Sequence, residues 1–422
     1  MFLLSSRRFL PLFVTQFLGA FNDNLFKNAL IILITYKLTT IEGQNPQELV
    51  TIAAGLFILP FFLFSALAGQ IADKYNRDKI AQLIKIFEIV IMILAGIGFI
   101  TQNIPYLIAI LFSCGVHSAF FGPIKYALLP QHLHPDELLK GNGYVEAGTF
   151  IAILVGTISG GIFIILENGT YLLTTALLCI AVFGYIASTY IPNSPAPVPN
   201  LKINLNIVQE TGRIIMNVRK QNLVFAAVMC VSWFWFIGAT FLTLMPNLVK
   251  NQLHAEAEVV SLFLAIFSIG IAVGSIICNK ILNNAIKTWL VPIAAIGMSI
   301  LITDLYFACK SEVFFNLHGL LSIQRFIHLF ASWRIITDLF GIAVFGGLYI
   351  VPLYALVQHY GDKRHMARII AANNIFNALF MVLSALLILL LLAMSFNIPT
   401  ILLIVGILNL IVTVYVYLSI CL

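Results

Sequence analysis

Charge is scarce in this sequence: 23 Lys and Arg with 17 Asp and Glu among 422 residues, or 9%, where a soluble domain carries roughly 25%. That deficit excludes an ordinary soluble globular protein. Segments of about ten residues with alternating polarity are missing too, and with them the outer-membrane β-barrel. Cysteine is sparse, and Cys114, Cys179, Cys230, Cys278, Cys309 and Cys421 lie in or beside apolar stretches without CxxC spacing. Neither a metal site nor a disulfide framework is expected from them. No Gly-Lys-Ser/Thr phosphate loop occurs, so ATP-driven action is unsupported and no cofactor is expected. The net charge of +6 comes without a soluble basic module, and no nucleic-acid partner is expected.

Apolar length is abundant: 61% of residues are hydrophobic, in runs such as LLTTALLCIAVFGYIASTYI from Leu172 to Ile191. Crossing the hydrocarbon core takes about 20 apolar residues in a helix, and lipid satisfies no backbone polar group, which leaves helices as the only spanning form. Polar breaks divide the chain into spans near residues 9–37, 49–72, 80–101, 105–128, 139–165, 170–191, 222–248, 257–279, 288–309, 334–357, 367–394 and 398–420. The expected fold class is therefore an all-α polytopic membrane protein with twelve transmembrane helices. Ser6-Arg7-Arg8-Phe9-Leu10 looks superficially like a twin-arginine signal. No small-residue cleavage site follows, and Asn22, Asp23 and Asn24 interrupt the run, so a retained first helix is expected. With both termini cytoplasmic, seventeen Lys and Arg, Lys85 among them, fall in or beside inner loops. Outside lie Lys37, Lys250, Lys310, Arg325 and Arg334, with Lys27 inside the first span. This imbalance predicts that orientation.

The longest inner connection, 192–221, opens Pro-rich (IPNSPAPVPN) and continues with Ile207, Thr211, Ile214 and Val218 on one helical face. It reads as a linker plus an interfacial helix. The domains expected are thus an N-terminal six-helix bundle (1–192), this linker (193–221) and a C-terminal six-helix bundle (222–422). The halves echo each other, FGPIKYALLPQH (Phe121 to His132) answering FGGLYIVPLYALVQH (Phe345 to His359). Between Lys310 and Arg334, His318, Ser322, Arg325 and His328 recur at helical spacing in a Phe-rich stretch, which predicts a helix lying in the outer interface.

Three polar sets interrupt the apolar spans. In the first, Gln16, Ala20, Asp23 and Lys27 share one helical stripe. Charges at mid-membrane each cost roughly 2.5–3.5 kcal/mol and face the bundle interior. Asp23 and Lys27 are spaced to pair, either as packing neutralisation or, with Asn22 and Asn24, as contacts for a polar substrate group. Spans four and five offer His117, Lys125, Asn142, Glu146 and Thr149, and span eleven offers Asn373, Asn374 and Asn377. His117 reads as a core histidine. Lys125 either snorkels to the surface or meets an anionic group, as Glu146 would meet an ammonium.

Between spans two and three stands GQIADKYNRDK, Gly69 to Lys79. Gly69 permits close helix approach, and Asp73 can pair with Arg77 and face a helix N-terminus. The motif resembles the signature loop of the major facilitator superfamily, whose architecture is two parallel six-helix repeats. That resemblance implies a conformational latch made by Gly69, Asp73, Lys74, Arg77 and Lys79. The corresponding GSIICNKILNN (Gly274 to Asn284) lacks the acid, and a weaker latch is expected there.

Taken together, AFNDNLFKNAL, FFGPIKYALLPQH, LLKGNGYVEAGTFIAILVGTISGG, FGGLYIVPLYAL and IAANNIFNALF resemble the bacterial lysophospholipid transporter family, including the transporter portion of fusions with 2-acylglycerophosphoethanolamine acyltransferase. The resemblance implies a carrier moving lysophosphatidylethanolamine and lysophosphatidylglycerol from the outer to the inner leaflet of the inner membrane for re-acylation. It also implies functional coupling to an acyltransferase/acyl-carrier-protein synthetase, and it places Asp23, Lys125 and Glu146 on the headgroup path. Lys27, Asn22 and the Phe-rich outer loop depart from the family pattern. None of the eight histidines has the His-x4-Asp spacing that acyltransferases use, so no enzyme is expected. The rival readings are a proton-coupled carrier of a small solute or drug, with Asp23 or Glu146 titrating, and a non-transporting membrane partner that recruits a soluble acyltransferase.

Overall fold

The structure, a computed structural model, describes residues 3–37, 46–314 and 319–421. Among these, regular structure is helical apart from one isolated bridge between Ala255 and Leu321. Twelve helices are long and apolar enough to cross a membrane: α1 (Leu10–Lys37), α2 (Pro46–Lys74), α3 (Arg77–Thr101), α4 (Ile104–His132), α5 (Leu138–Ile165), α6 (Gly169–Thr189), α8 (Asn222–Asn247), α9 (Ala257–Ile281), α10 (Leu290–Ala308), α12 (Phe330–Tyr360), α13 (Met366–Ala393) and α14 (Ile398–Val416). They match the twelve expected spans. The two remaining α-helices are α7 (Ile207–Arg219) and α11 (Ile323–His328).

The helix expected in the 192–221 connection is α7. Asn206 starts it by accepting the Gln209 N–H at 3.0 Å, and Ile214 and Val218 are buried while Val208 and Met216 are 83% and 61% exposed. The outer segment differs from expectation. Its helix covers only Ile323–His328, because Leu321 is drawn into extended pairing with His254 and Glu256 and α12 begins at Phe330, ahead of the expected 334. His318 lies outside the described residues.

Two compact units form. The first comprises Met1–Gly141, Ile151–Gln221 and Gln358–Ala378; the second comprises Asn142–Phe150, Asn222–Val357 and Leu379–Leu422. In the first, α1 and α5 approach backbone to backbone: a Cβ on Gly156 or Gly160 would strike the carbonyl oxygens of Phe21 and Leu25, the close crossing that small residues four apart permit. Asn28 donates to the Thr157 carbonyl at 2.6 Å across the same seam. In the second unit, Asn409 accepts from Trp233 Nε1 at 2.8 Å and donates to the Ala295 carbonyl at 2.8 Å and to Ser299 Oγ at 2.9 Å. One polar side chain thus ties α8, α10 and α14 together, the interhelical role such groups take in lipid.

Helix α3 shows how the first unit sorts its residues. Leu83, Ile86, Phe87, Val90, Ile93, Ile97 and Ile100 are exposed, while Ala81, Ile84, Lys85, Glu88, Met92, Ala95 and Phe99 are buried. The exposed face suits hydrocarbon. Beyond Arg77 and Asp78 in the first turn, the buried face carries two charges inward, Lys85 and Glu88.

Candidate functional site

Those two charges are the centre of a polar cluster in the first unit. Glu88 Oε2 accepts from Lys85 Nζ at 2.5 Å, Glu88 Oε1 accepts from Asn22 Nδ2 at 3.0 Å, and His117 Nε2 lies 3.2 Å from Oε2. All four side chains are at most 2% exposed. The i,i+3 spacing of Lys85 and Glu88 on α3 puts them on one face, and α1 and α4 supply Asn22 and His117. The Lys85 ammonium also rests over the Phe121 ring at 5.2 Å, a favourable cation–π position. Burying an ion pair away from water requires this density of partners.

Asp23 borders the cluster. Ser118 Oγ donates to its Oδ2 at 2.5 Å, while its Oδ1 is buried without a hydrogen-bond partner among the described residues. Asp23 and Lys27 interact electrostatically but make no direct ion pair among the described residues, and the Lys27 ammonium sits 5.4 Å from the Phe57 ring centroid. Asn24 is not part of the cluster either. Successive helical positions differ by 100°, so Asn22 and Asp23 turn to α3 and α4 while Asn24 donates back to the Ala20 carbonyl at 2.8 Å and lies beside Gly156 of α5.

The other candidates lie elsewhere. Lys125 is half-buried with its ammonium 4.7 Å from the Tyr126 ring centroid. Asn373 is 1%, Asn374 9% and Asn377 7% exposed; these belong to the α13 segment of the first unit, where Asn374 packs against Gly122 of α4. Asn142 and Glu146 are buried in the α5 segment that packs with the second unit.

The Asp73 carboxylate joins the end of α2 to the starts of α3 and α13, all within the first unit. Arg77 Nη2 donates to Oδ1 at 3.0 Å, Arg368 Nε to Oδ2 at 3.0 Å, and the Ala367 N–H to Oδ1 at 3.2 Å. Gly69 makes this approach possible, since a Cβ there would come within 2.9 Å of the Arg368 Cα. Arg77 further donates to the Ala72 and Ala127 carbonyls, both at 3.1 Å. The Pro-rich connection is tied to the same place: Asp78 accepts the Ser194 N–H at 3.0 Å and the Asp73 carbonyl accepts the Val198 N–H at 2.9 Å. Lys74 lies over the Tyr75 ring and Lys79 is exposed, so neither meets the Asp73 carboxylate.

Sequence reasoning missed Glu88 and Arg368 and placed Lys85 at an inner loop. The signal for the Lys85–Glu88 pair was present: opposite charges three apart within the apolar α3, where a solitary lysine eight residues beyond the first residue of the helix would snorkel but one with an acid one turn on turns inward. Arg368 stands 295 residues from Asp73, beyond any local pattern.

Comparison with known proteins bears on what this arrangement serves. The family model of the Major Facilitator Superfamily matches residues 12–315. The lysophospholipid transporter LplT of Serratia proteamaculans (strain 568) is 26% identical over 366 residues, 85% of this chain and 82% of that protein. LplT of Escherichia coli (strain SE11) is 28% identical over 355 residues, 83% of this chain and 80% of its own. Among solved structures, the human organic anion transporter MFSD10 superposes with a TM-score of 0.72 at 12% identity, covering 97% of this chain and 99% of that one. A bacterial homologue of the iron transporter ferroportin, outward-facing with soaked iron, gives 0.67 at 12%, covering 96% and 98%.

Proposed function

The chain belongs to the Major Facilitator Superfamily, and on that premise we propose that it is a lysophospholipid transporter of the bacterial inner membrane, with both termini cytoplasmic. The fold is the superfamily's twelve helices in two six-helix repeats. The observation that carries the substrate reading is the alignment of lysophospholipid transporters over more than four-fifths of the chain. Lysophosphatidylethanolamine and lysophosphatidylglycerol are the proposed cargo, moved from the outer to the inner leaflet for re-acylation by a coupled acyltransferase.

The chemistry of the site is consistent with a headgroup passing while its acyl chain stays in lipid, since each CH₂ drawn into water costs about 0.8 kcal/mol. Asp23, with one carboxylate oxygen buried and unpartnered, is the proposed contact for an ammonium, and Glu146 a second. Lys125 is the proposed contact for the phosphate, with Lys27, Asn142, Asn373, Asn374 and Asn377 as further lining. Glu88 and Lys85 hold Asn22 and His117 in place beside Asp23. The bundles 1–192 and 222–422 are the proposed moving bodies, with the Asp73 cluster as the latch of one end state.

The test is uptake of labelled lysophosphatidylethanolamine by spheroplasts with and without the protein, repeated with an uncoupler. Protein-dependent uptake lost in Asp23→Asn and Lys125→Ala supports the reading. Uptake no greater than in the empty control, with the protein folded in the membrane, rejects it in favour of a proton-coupled solute carrier.

A further inference from the structure

A cavity of about 410 Å³ lies between α7 and the start of α13, lined in part by Ile214, Val218, Lys220, Asp362, His365 and Arg368. It is separate from the buried cluster around Glu88. Its polar lining sets the cations Lys220 and Arg368 beside the neutral amides of Asn217 and Gln221. The only acid among the lining residues is Asp362, and its carboxylate already accepts from the Arg364 N–H at 2.9 Å and pairs with His365 Nδ1 at 2.6 Å. Arg368 is incompletely used: Nε holds Asp73, while Nη2 is buried with no hydrogen-bond partner among the described residues, a state that costs free energy until an acceptor arrives. Lys220 is exposed at the rim.

The surroundings indicate what the acceptor is attached to. Ile214, Val218 and Ile369 give the cavity an apolar wall. On the opposite side of the same helix, Val208 and Met216 are 83% and 61% exposed, and Leu205 just before it is 77% exposed. An amphipathic helix with such a face and basic residues at its end lies in the headgroup layer of a membrane. A phosphate ester on an apolar body matches all of these features. A guanidinium with one edge unpaired is suited to a phosphate oxygen.

We propose that this cavity holds the phosphate of an anionic phospholipid as a resident ligand, contacted by Arg368 and Lys220. The lipid and Asp73 engage different nitrogens of one guanidinium, so they bind together, and occupancy tightens the join between α2 and α13. This is regulation by the bilayer, distinct from passage of cargo, and it does not rest on the transport reading.

The experiment is hydrogen–deuterium exchange on the full chain in nanodiscs of phosphatidylcholine with and without phosphatidylglycerol, in phosphate-free buffer. It reads the Ala367 amide, which donates to Asp73. Phosphatidylglycerol is expected to slow exchange there by about fivefold, the factor for roughly one basic contact with an anionic lipid. Lys220→Gln removes that slowing and leaves exchange in phosphatidylcholine unchanged. Arg368→Gln raises exchange in both discs and abolishes their difference. Exchange indifferent to phosphatidylglycerol, or a phosphatidylglycerol effect that survives Lys220→Gln, overturns the proposal. Equal protection by inorganic phosphate in phosphatidylcholine discs overturns the lipid assignment in favour of a free anion.

Discussion

Glu88 is the side chain on which the buried cluster depends. Its two oxygens meet Asn22, Lys85 and His117, so neutralising it removes the counter-charge of an ammonium with no exposure to water. Glu88→Gln is expected to destabilise the protein by about 3 kcal/mol, in the range for breaking a buried pair, read as a lowered thermal midpoint in detergent. Lys85→Met with Glu88→Gln is expected to recover most of that loss, because no uncompensated charge is left behind. Asp23 predicts the opposite pattern. Asn at that position keeps an acceptor for Ser118, so Asp23→Asn should leave the midpoint nearly unchanged. Lysophospholipid uptake should fall by about tenfold or more, the scale of one charge-assisted contact.

At the scale of elements, two seams are exposed to single substitutions. Gly160→Val places a branched side chain against the Leu25 carbonyl and is expected to force α1 and α5 apart at a cost of about 2 kcal/mol, seen as a lower thermal midpoint and reduced membrane yield. Asp73→Asn leaves Arg77 and Arg368 without their shared carboxylate, and the Ala367 amide should exchange several-fold faster. What the sequence disclosed follows from the reach of each signal. Apolar length and polar breaks located all twelve spans, and the four-residue period located the buried face of α7. Four-residue spacing also announced Asp73 and Arg77 as neighbours, although they meet across the break between the end of α2 and the start of α3 and not within one helix. The same rule suggested Asp23 with Lys27, and the two still interact electrostatically, yet here tertiary packing supplied the direct contacts, Ser118 from α4 for the carboxylate and Phe57 from α2 for the ammonium. Three consecutive polar residues, Asn22 to Asn24, read as one site but diverge around the helix. Arg368 and the convergence of α1, α3 and α4 on Glu88 depend on contacts between distant segments, which no local period encodes.

For the whole molecule, few charges in a long apolar chain mean that each buried one is conspicuous, and the first unit buries Lys85 and Glu88 with the half-buried Asp23 beside them. A membrane protein keeps such groups where function holds them, and superfamily membership makes transport the function. The central claim is that the cargo is a lysophospholipid. It is tested most directly by reconstituting the purified chain in vesicles and following a labelled lysophosphatidylethanolamine from the outer to the inner leaflet, with Asp23→Asn and the exposed-site variant Lys202→Gln alongside wild type. The account predicts transfer well above that of protein-free vesicles for wild type and Lys202→Gln, and transfer near the protein-free rate for Asp23→Asn. Transfer by folded wild-type protein no faster than in protein-free vesicles would contradict it.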